Sequence, residues 1–177
     1  MTTIDRLAPD EVVPFVDELW LPAQREMAGP TDHALADDVR ENGLAHRRER
    51  LATEGTVTFV ARGDGGGGDA DEDGADDALA DDADRLGFAS AAVRTPPPIF
   101  EPRREAHTNE LFVRPAARRD GVASALLDAV EEWAAATGCA DLDLNVHRDN
   151  EAARSLYETA GYEVARYNMR KPVDGEE

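Results

Sequence analysis

The last 70 residues alternate between strand-like and helix-like segments, and this alternation constrains the fold more than any other feature of the chain. Residues 108–113 have the composition of a strand that ends before Pro115, and residues 141–146 alternate strictly between polar and apolar side chains, as in a strand. Residues 121–137 carry apolar side chains at helical spacing, and a second helix follows Asn150 and ends at Gly161. The order therefore predicts strand, helix, strand, helix, which belongs to a mixed α/β domain.

The other segments fit the same class. They are, in order, a strand at 2–7, a helix that begins at Asp10, a helix from about Asp32 into the fifties with Gly43 as a candidate break, strands at 56–61 and 87–94, and one or two closing strands over 162–171. The length of 177 residues predicts one domain that spans the whole chain. The elements together predict an α/β or α+β fold around a mixed sheet.

The segment 64–85 differs from its surroundings in composition. It holds ten acidic residues, one arginine and five glycines. It cannot bury enough apolar surface to offset the chain entropy lost on ordering, so it predicts a flexible acidic loop between two strands. A calcium loop is the alternative, since Asp69, Asp71 and Asp73 alternate before Gly74; the position where such a loop needs a glutamate, however, is Ala80.

Charge and residue usage exclude several classes of function. The chain has 38 Asp and Glu against 19 Lys and Arg, and its net charge of −19 repels nucleic-acid phosphates and anionic lipid surfaces. The only lysine is Lys171, so the chain lacks the Gly-Lys signature of phosphate-loop NTPases. The single cysteine, Cys139, excludes an internal disulfide and a multi-cysteine zinc site. With no long apolar run and no signal peptide, the sequence predicts a cytoplasmic protein.

The turn between the strand at 108–113 and the following helix has the composition of an anion site. Gly121 and Ala123 are small enough for the backbone to approach a ligand closely, and Arg118 and Arg119 add positive charge. The first turn of a helix also offers free N–H groups and the positive end of the helix dipole. Physical chemistry alone does not choose the anion, and an ordinary exposed turn is the alternative.

With its surroundings, this turn resembles the GNAT superfamily of acyl-CoA-dependent N-acetyltransferases. The pyrophosphate loop of that family reads Arg/Gln-x-x-Gly-x-Gly/Ala, which Arg118, Gly121 and Ala123 match in order. The other matching segments are Leu111-Phe112-Val113-x-Pro115, Leu144-Asn145-Val146 and Asn150-x-x-Ala153-x-x-Leu156-Tyr157-x-x-x-Gly161-Tyr162. The resemblance covers residues 110–162 and implies a central, mostly antiparallel sheet of six to seven strands flanked by about four helices.

The resemblance also implies acetyl-CoA as co-substrate, without a metal, and assigns its contacts. The Arg118 side chain would bind the pyrophosphate together with the backbone amides of Arg119, Asp120, Gly121, Val122, Ala123 and Ser124. The backbone at Phe112 and Val113 would pair with the pantetheine arm, and the Val113 amide would polarise the thioester carbonyl. Asn145 and Asn150 complete the implied set of cofactor-binding residues.

Two catalytic residues are implied in the same way. Tyr157 stands where many members carry a tyrosine that protonates the leaving thiolate, and an ordinary phenol, with a pKa near ~10, is protonated at neutral pH. Packing in the core is the alternative role for its ring. Glu110 stands where related enzymes keep a carboxylate that acts as general base, directly or through water. A solvated strand residue is the alternative for Glu110, and His107 is the reserve base.

The implied function is transfer of an acetyl group from acetyl-CoA to a primary amine by direct attack in a ternary complex. Two other functions stay open: a non-catalytic acyl-CoA-binding module, and an interaction protein whose acidic loop binds a cationic partner. A small molecule or a peptide could supply the amine, and a homodimer is compatible with the sequence. The surplus of acids, with Arg in place of Lys, also resembles proteins of salt-loving archaea, where acidic surfaces keep proteins soluble in molar salt.

Overall fold

The computed structural model describes residues 1–28, 34–63 and 85–171, and it divides the chain into two compact units, residues 1–145 and 146–177. The strands are β1 (Thr3–Arg6), β2 (Thr56–Arg62), β3 (Arg85–Arg94), β4 (Glu105–Val113) and β5 (Asp141–Leu144). The helices are α1 (Val12–Phe15), α2 (Leu21–Ala28), α3 (Val39–Ala52), α4 (Val122–Ala136) and, in the second unit, α5 (Glu151–Thr159). A π-helical turn, Val16–Trp20, joins α1 to α2, and 3₁₀ turns lie at Pro9–Glu11 and Pro115–Ala117.

The first unit is built on one five-stranded sheet in the order β1-β2-β3-β4-β5. The pairs from β1 to β4 are antiparallel, and the pair β4–β5 is parallel. A parallel neighbour requires a crossover connection, which α4 supplies between β4 and β5. The sheet therefore changes from hairpin connections to a crossover at β4.

Apolar side chains cover both faces of the sheet. On one face, Val57 and Phe59 of β2 pack with Leu126 and Val130 of α4 in a single buried cluster. On the other face, strand residues pack against the helices that precede β2; this second cluster contains Phe15, Leu19, Trp20, Val60, Phe88 and Phe112. Each face thus has a core of its own, and the strands alternate side chains between the two.

The first helical region contains two prolines and an irregular turn. Pro14 lies in the first turn of α1, where a helix does not need its N–H. Pro22 lies in α2 and has no N–H to donate to the carbonyl of Glu18, four residues earlier. Arg114 donates a hydrogen bond to that carbonyl (3.1 Å). The π-helical turn precedes Pro22, and it places Trp20 in the second buried cluster.

The structure corrects three expectations. Among the described residues the sheet has five strands rather than six or seven, and 162–171 forms no strand because the segment has no strand to pair with. The second helix begins at Val39 rather than near Asp32, since residues 34–38 form a turn whose Ala36 carbonyl accepts from the Val39 N–H. Gly43 does not interrupt that helix.

Several sequence predictions fall wholly or partly on residues that the structure does not describe. The acidic loop and its calcium alternative lie at 64–84, outside the described residues, and Arg85 belongs to β3 instead of the loop. The single-domain organisation stays a prediction. In the described ranges, every helix is too short or too polar to span a bilayer.

Candidate active site

Strand β5 ends at Leu144, and its end leaves a gap in the sheet beside the rest of β4. The two strands pair only from Glu105, opposite Asp141, to Thr108, opposite Leu144. The rest of β4 continues to Val113 with β3 on one side and, in the described part of the chain, no strand on the other. A bulge in the β3–β4 ladder falls at the same place, between Ser90 and Ala91 of β3. The second half of β4 therefore presents a free backbone edge.

Backbone N–H and C=O groups of alternate residues of β4 point toward the gap. The Arg114 N–H donates to the carbonyl of Leu86 (2.8 Å), which fixes the alternation of hydrogen bonds toward β3. The backbone groups of Leu111 and Val113 consequently point away from β3. The N–H of Val113 therefore lies on the open edge, and the role that the resemblance implies for it stays a prediction.

The turn after β4 leads into a helix start without a side-chain cap. Gly121 is the N-cap of α4 with φ +80°, and no side chain caps the amides of the first turn. Arg119 also has a positive φ, +75°, which is uncommon for a residue other than glycine. A Cβ on Gly121 would meet no protein atom within 4 Å. The uncapped amides and the open space beside Gly121 suit an anionic ligand such as a pyrophosphate.

The Arg118 side chain is engaged with protein groups. Its Nε donates to the carbonyl of Val113 (2.9 Å), and its Nη2 lies 2.6 and 2.8 Å from the two carboxylate oxygens of Glu26 on α2. The guanidinium also lies over the Phe112 ring, 5.9 Å from its centroid. A pyrophosphate would have to compete with Glu26 for this guanidinium, so that its predicted phosphate contact stays a prediction.

Glu110 lies at the centre of a polar cluster on the face that α2 and α3 cover. Its Oε1 accepts hydrogen bonds from Trp20 Nε1 (2.9 Å) and Gln24 Nε2 (3.2 Å). Its Oε2 accepts from Ser90 Oγ (2.8 Å) and forms an ion pair with Arg47 Nη2. Three of these donors are buried, and Gln24 is half-buried. The carboxylate is therefore neither solvated nor free, which rules out the expected alternative of a solvated strand residue.

The surroundings of Glu110 affect its proton affinity. Burial acts to raise the pKa of the carboxyl group, but the charge of Arg47 and the hydrogen bonds from Arg47, Ser90 and Trp20 outweigh it and lower the pKa. A carboxylate whose pKa is lowered in this way accepts a proton less readily than an ordinary one. The role of general base that the resemblance implies for Glu110 stays a prediction.

His107, the reserve base, is 5% exposed and faces a carboxylate. Its Nδ1 pairs with Asp143 Oδ1, directly across the parallel β4–β5 ladder. An aspartate in this position fixes the ring orientation of a histidine. The pair lies where the two strands are still joined, before the gap begins.

The second compact unit contains Asn150 and Tyr157. Asn150 caps α5, as predicted, with its side-chain oxygen accepting from the Ala153 N–H (3.1 Å). The Tyr157 ring is half-buried and meets the Tyr162 ring edge-on, with centroids 5.7 Å apart. Burial raises the pKa of the Tyr157 phenol. The phenol therefore stays protonated at neutral pH, as a general acid requires.

Sequence reasoning missed the partners of Glu110 and of His107. The partners are Trp20, Gln24, Arg47, Ser90 and Asp143. One signal was available for Arg47, because it lies three residues after Leu44 and four before Leu51, on the apolar stripe of α3. A charged residue on such a stripe indicates a buried partner. No local pattern distinguishes the other four.

The described residues contain no group of three or more His, Cys, Asp or Glu side chains that could hold a metal ion. Asn145, which follows β5, is exposed at the end of the first unit. Its predicted contact with the cofactor stays a prediction.

Comparison with known proteins gives consistent matches. A model of the acetyltransferase (GNAT) family matches residues 70–162. The aminoglycoside N(6')-acetyltransferase type 1 of Klebsiella aerogenes is 36% identical over 98 residues, which are 54% of this chain and 64% of that protein. An uncharacterised N-acetyltransferase of Bacillus subtilis (strain 168) is 46% identical over 55 residues, or 31% of this chain and 37% of the relative. The matched regions span less than two thirds of either relative.

A solved structure extends the likeness to almost the whole chain. AAC(6')-Iy, in complex with the bisubstrate analogue CoA-S-monomethyl-acetylneamine, matches with a TM-score of 0.68 at 20% identity and covers 99% of both chains. At this identity the likeness shows the fold alone.

Proposed function

Because this chain belongs to the acetyltransferase (GNAT) family, we propose that it transfers an acetyl group from acetyl-CoA to a primary amine of a small molecule. The amine attacks the thioester directly while both substrates are bound. The observation that carries the proposal is the gap beside β4, which exposes the Val113 N–H on the same chain segment that leads to the uncapped start of α4. An extended arm with a phosphate group at its end fits both features.

Each group of this chain then has one task in the proposed reaction. The amides of the turn and first helical turn, residues 119–124, hold the pyrophosphate. The open edge at Phe112 and Val113 binds the pantetheine arm, and the Val113 N–H stabilises negative charge that develops on the thioester oxygen. Asn145 and Asn150 add polar contacts to the arm. Acetyl-CoA supplies the acetyl group and a thiolate leaving group, and Tyr157 donates a proton to that sulfur. Water takes up the proton that the amine nitrogen loses and returns a proton to the Tyr157 oxygen.

The acceptor we propose is a small polycationic amine of the aminoglycoside class. Two of the matching proteins are described by names that mention aminoglycoside compounds. One is an aminoglycoside acetyltransferase, and the other was solved in complex with an acetylneamine analogue. The net charge of −19 attracts cationic acceptors and repels anionic ones. The cytoplasmic location, the homodimer and the origin in a salt-loving organism stay predictions.

The test is an acceptor screen with acetyl-CoA in molar KCl, in which released thiol is measured. Aminoglycosides, linear polyamines, amino-acid amides and a peptide with a free N-terminus are compared at equal ionic strength, since salt screens the charge effect. We expect the highest kcat/KM with an aminoglycoside. Tight acetyl-CoA binding without thiol release from any amine would instead identify a non-catalytic acyl-CoA-binding module.

A matched pair of variants at Gly121 tests the cofactor site. Both Asn and Asp tolerate a positive φ better than other side chains, so that Gly121→Asn and Gly121→Asp differ mainly in charge. We expect Gly121→Asp to raise the Kd for acetyl-CoA by about tenfold or more relative to Gly121→Asn, because its carboxylate would lie where the pyrophosphate binds. Calorimetry measures both affinities. Equal affinities in two folded variants would contradict the assignment.

A further inference from the structure

Arg47 is the largest side chain that the first unit buries completely. It is 1% exposed, and it projects from α3 toward the sheet. Three aromatic rings surround its guanidinium carbon, those of Phe15, Trp20 and Phe88, with centroids 5.5, 5.7 and 5.9 Å away. Rings at this distance stabilise a cation but cannot replace a counter-ion. A buried guanidinium of this kind needs a carboxylate partner.

The carboxylate of Glu110 is that partner. Arg47 Nη2 pairs with its Oε2, whereas Arg47 Nε and Nη1 are buried and have no hydrogen-bond partner among the described residues. The Nε and Nη1 groups of the guanidinium therefore lack hydrogen bonds within the described part of the chain, while Nη2 holds one carboxylate oxygen. A side chain that served only to fill the core would not need this arrangement, since an apolar residue of similar volume would avoid the unpaired N–H groups.

The two oxygens of Glu110 differ in their accessibility. Oε2 is closed off by Arg47 and Ser90, both of which are buried. Oε1 accepts from Trp20, which is buried, and from Gln24, which is the only half-buried donor of the four. Of the four donors, the Gln24 amide is therefore the one that a ligand could displace without entering the buried part of the cluster.

We propose that Arg47 is a positioning residue for the acceptor: it fixes the Glu110 carboxylate through Oε2, so that Oε1 binds a cationic amine of the acceptor in place of Gln24. This proposal rests on the proposed function. Glu110 then contacts the substrate as an anion that binds and orients the amine, and it does not take up the proton that the amine loses. The acceptor must carry at least one ammonium group in addition to the reacting amine, as polycationic amines do.

The charged groups around Glu110 all favour its ionised form. From α3, Arg47 pairs with it, and Arg50 lies close enough for an attractive interaction. From β3 and the π-helical turn, Ser90 and Trp20 donate hydrogen bonds. On β4 itself, the nearest titratable side chain along the sequence, His107, is paired with Asp143. In agreement, the pKa of Glu110 is lowered despite its burial.

The indole of Trp20 provides a readout that does not depend on turnover. The chain has two tryptophans, Trp20 and Trp133, so a protein labelled with ¹⁵N-tryptophan gives two indole signals, which Trp133→Phe assigns. Because Trp20 Nε1 donates to Oε1, its signal responds to the charge of Glu110 and to a ligand at that oxygen. We expect the wild-type signal to be constant between about pH 5.5 and 8, and to shift when an aminoglycoside is added to the CoA complex.

Variants of Arg47 complete the test. In Arg47→Met the Glu110 carboxyl keeps its burial and loses its counter-ion, so the Trp20 signal should titrate within that pH range, and the KM for the amine should rise about tenfold or more. The KM for acetyl-CoA should stay within about twofold. Arg47→Lys, which keeps the charge, should restore a constant signal. Arg48→Met, an exposed neighbour on α3, is the control and should match the wild type.

Three results would overturn the proposal: a Trp20 signal that stays constant in folded Arg47→Met, equal increases in both KM values, or no shift of the signal with amine. If Arg47→Met does not fold, the double variant Arg47→Met/Glu110→Gln removes both charges and takes its place. That variant should bind acetyl-CoA normally and the amine weakly; normal amine binding would also overturn the proposal. Failure of the proposed function is distinct, because it would appear as absent thiol release in the wild type while the indole titrations still report on Arg47.

Discussion

In the proposed reaction, the Tyr157 hydroxyl is the group that protonates the leaving thiolate. Burial raises the pKa of the phenol, so it is protonated throughout the neutral and mildly alkaline range. Tyr157→Phe removes only the oxygen and leaves the ring contact with Tyr162 in place. We expect kcat to fall by about 10²–10⁴-fold with an unchanged Kd for acetyl-CoA, as measured by steady-state kinetics and calorimetry.

Tyr162→Phe is the matched control, because it removes a hydroxyl from the neighbouring ring of the same pair. It should leave kcat within about twofold of the wild type. A loss of acetyl-CoA affinity in Tyr157→Phe would make Tyr157 a binding residue. An unchanged kcat would mean that the proton reaches the sulfur through water.

Individual residues also show how far a local motif can predict a site. Glu110 and the turn at 118–121 lie in one continuous stretch that carries the family pattern, so the sequence indicates them directly. Arg47 and Trp20 lie 63 and 90 residues away from Glu110 along the chain. Their meeting depends on the packing of α3 and of the π-helical turn against β4, which no spacing in the sequence encodes.

Among the elements, the contact between α3 and the π-helical turn depends on one glycine. A Cβ on Gly43 would lie 2.2 Å from an atom of the Trp20 ring. Gly→Ala inside a helix normally stabilises it by about 1 kcal/mol. Here we expect Gly43→Ala to lower the free energy of unfolding by about 1–3 kcal/mol, because the buried ring must move. Urea unfolding measures the change, and Asn42→Ala, one residue earlier on the exposed side, should be neutral or slightly stabilising.

A stabilised Gly43→Ala variant would show that the Trp20 ring can relax without cost, which would contradict the tight packing. In that case the Trp20 hydrogen bond to Glu110 should also survive, and the indole signal would report it.

Secondary-structure elements were predicted correctly where a pattern within the segment itself determines the element. They were predicted wrongly where the element depends on pairing with another strand. The helix predicted at 121–137 is found as Val122–Ala136, because its apolar stripe and the glycine that ends it both lie within or next to the segment. The strands predicted at 162–171 were wrong, because a strand exists only beside a partner and residues 163–171 are all exposed. Likewise, the gap beside β4 depends on where β5 ends along it, which is a property of the pair.

At the scale of the whole molecule, the pairing of β2 with β3 brings the two ends of the acidic segment close together. Arg62 and Arg85 are direct partners in the antiparallel ladder, so the two strand ends are as close as in a short hairpin. Arg85 itself is buried and pairs with Glu18 (2.5 Å), which means that it must be kept when the segment is removed. The ends of β2 and β3 can thus be joined directly by a short turn.

We therefore expect replacement of residues 64–84 by a short Gly/Ser turn to leave the fold and the turnover in molar KCl nearly unchanged. A shorter loop costs less closure entropy, so the free energy of unfolding should be equal or slightly higher. The segment contributes ten of the 38 acidic residues, and its loss should appear as lower solubility in salt.

The matched control extends the deletion through Arg85, and it should unfold more easily because Glu18 loses its buried partner. Calorimetric unfolding measures the stability of both variants, a precipitation series in salt measures their solubility, and thiol release measures their turnover. A loss of turnover beyond about tenfold in a folded variant would instead place the segment in the acceptor site.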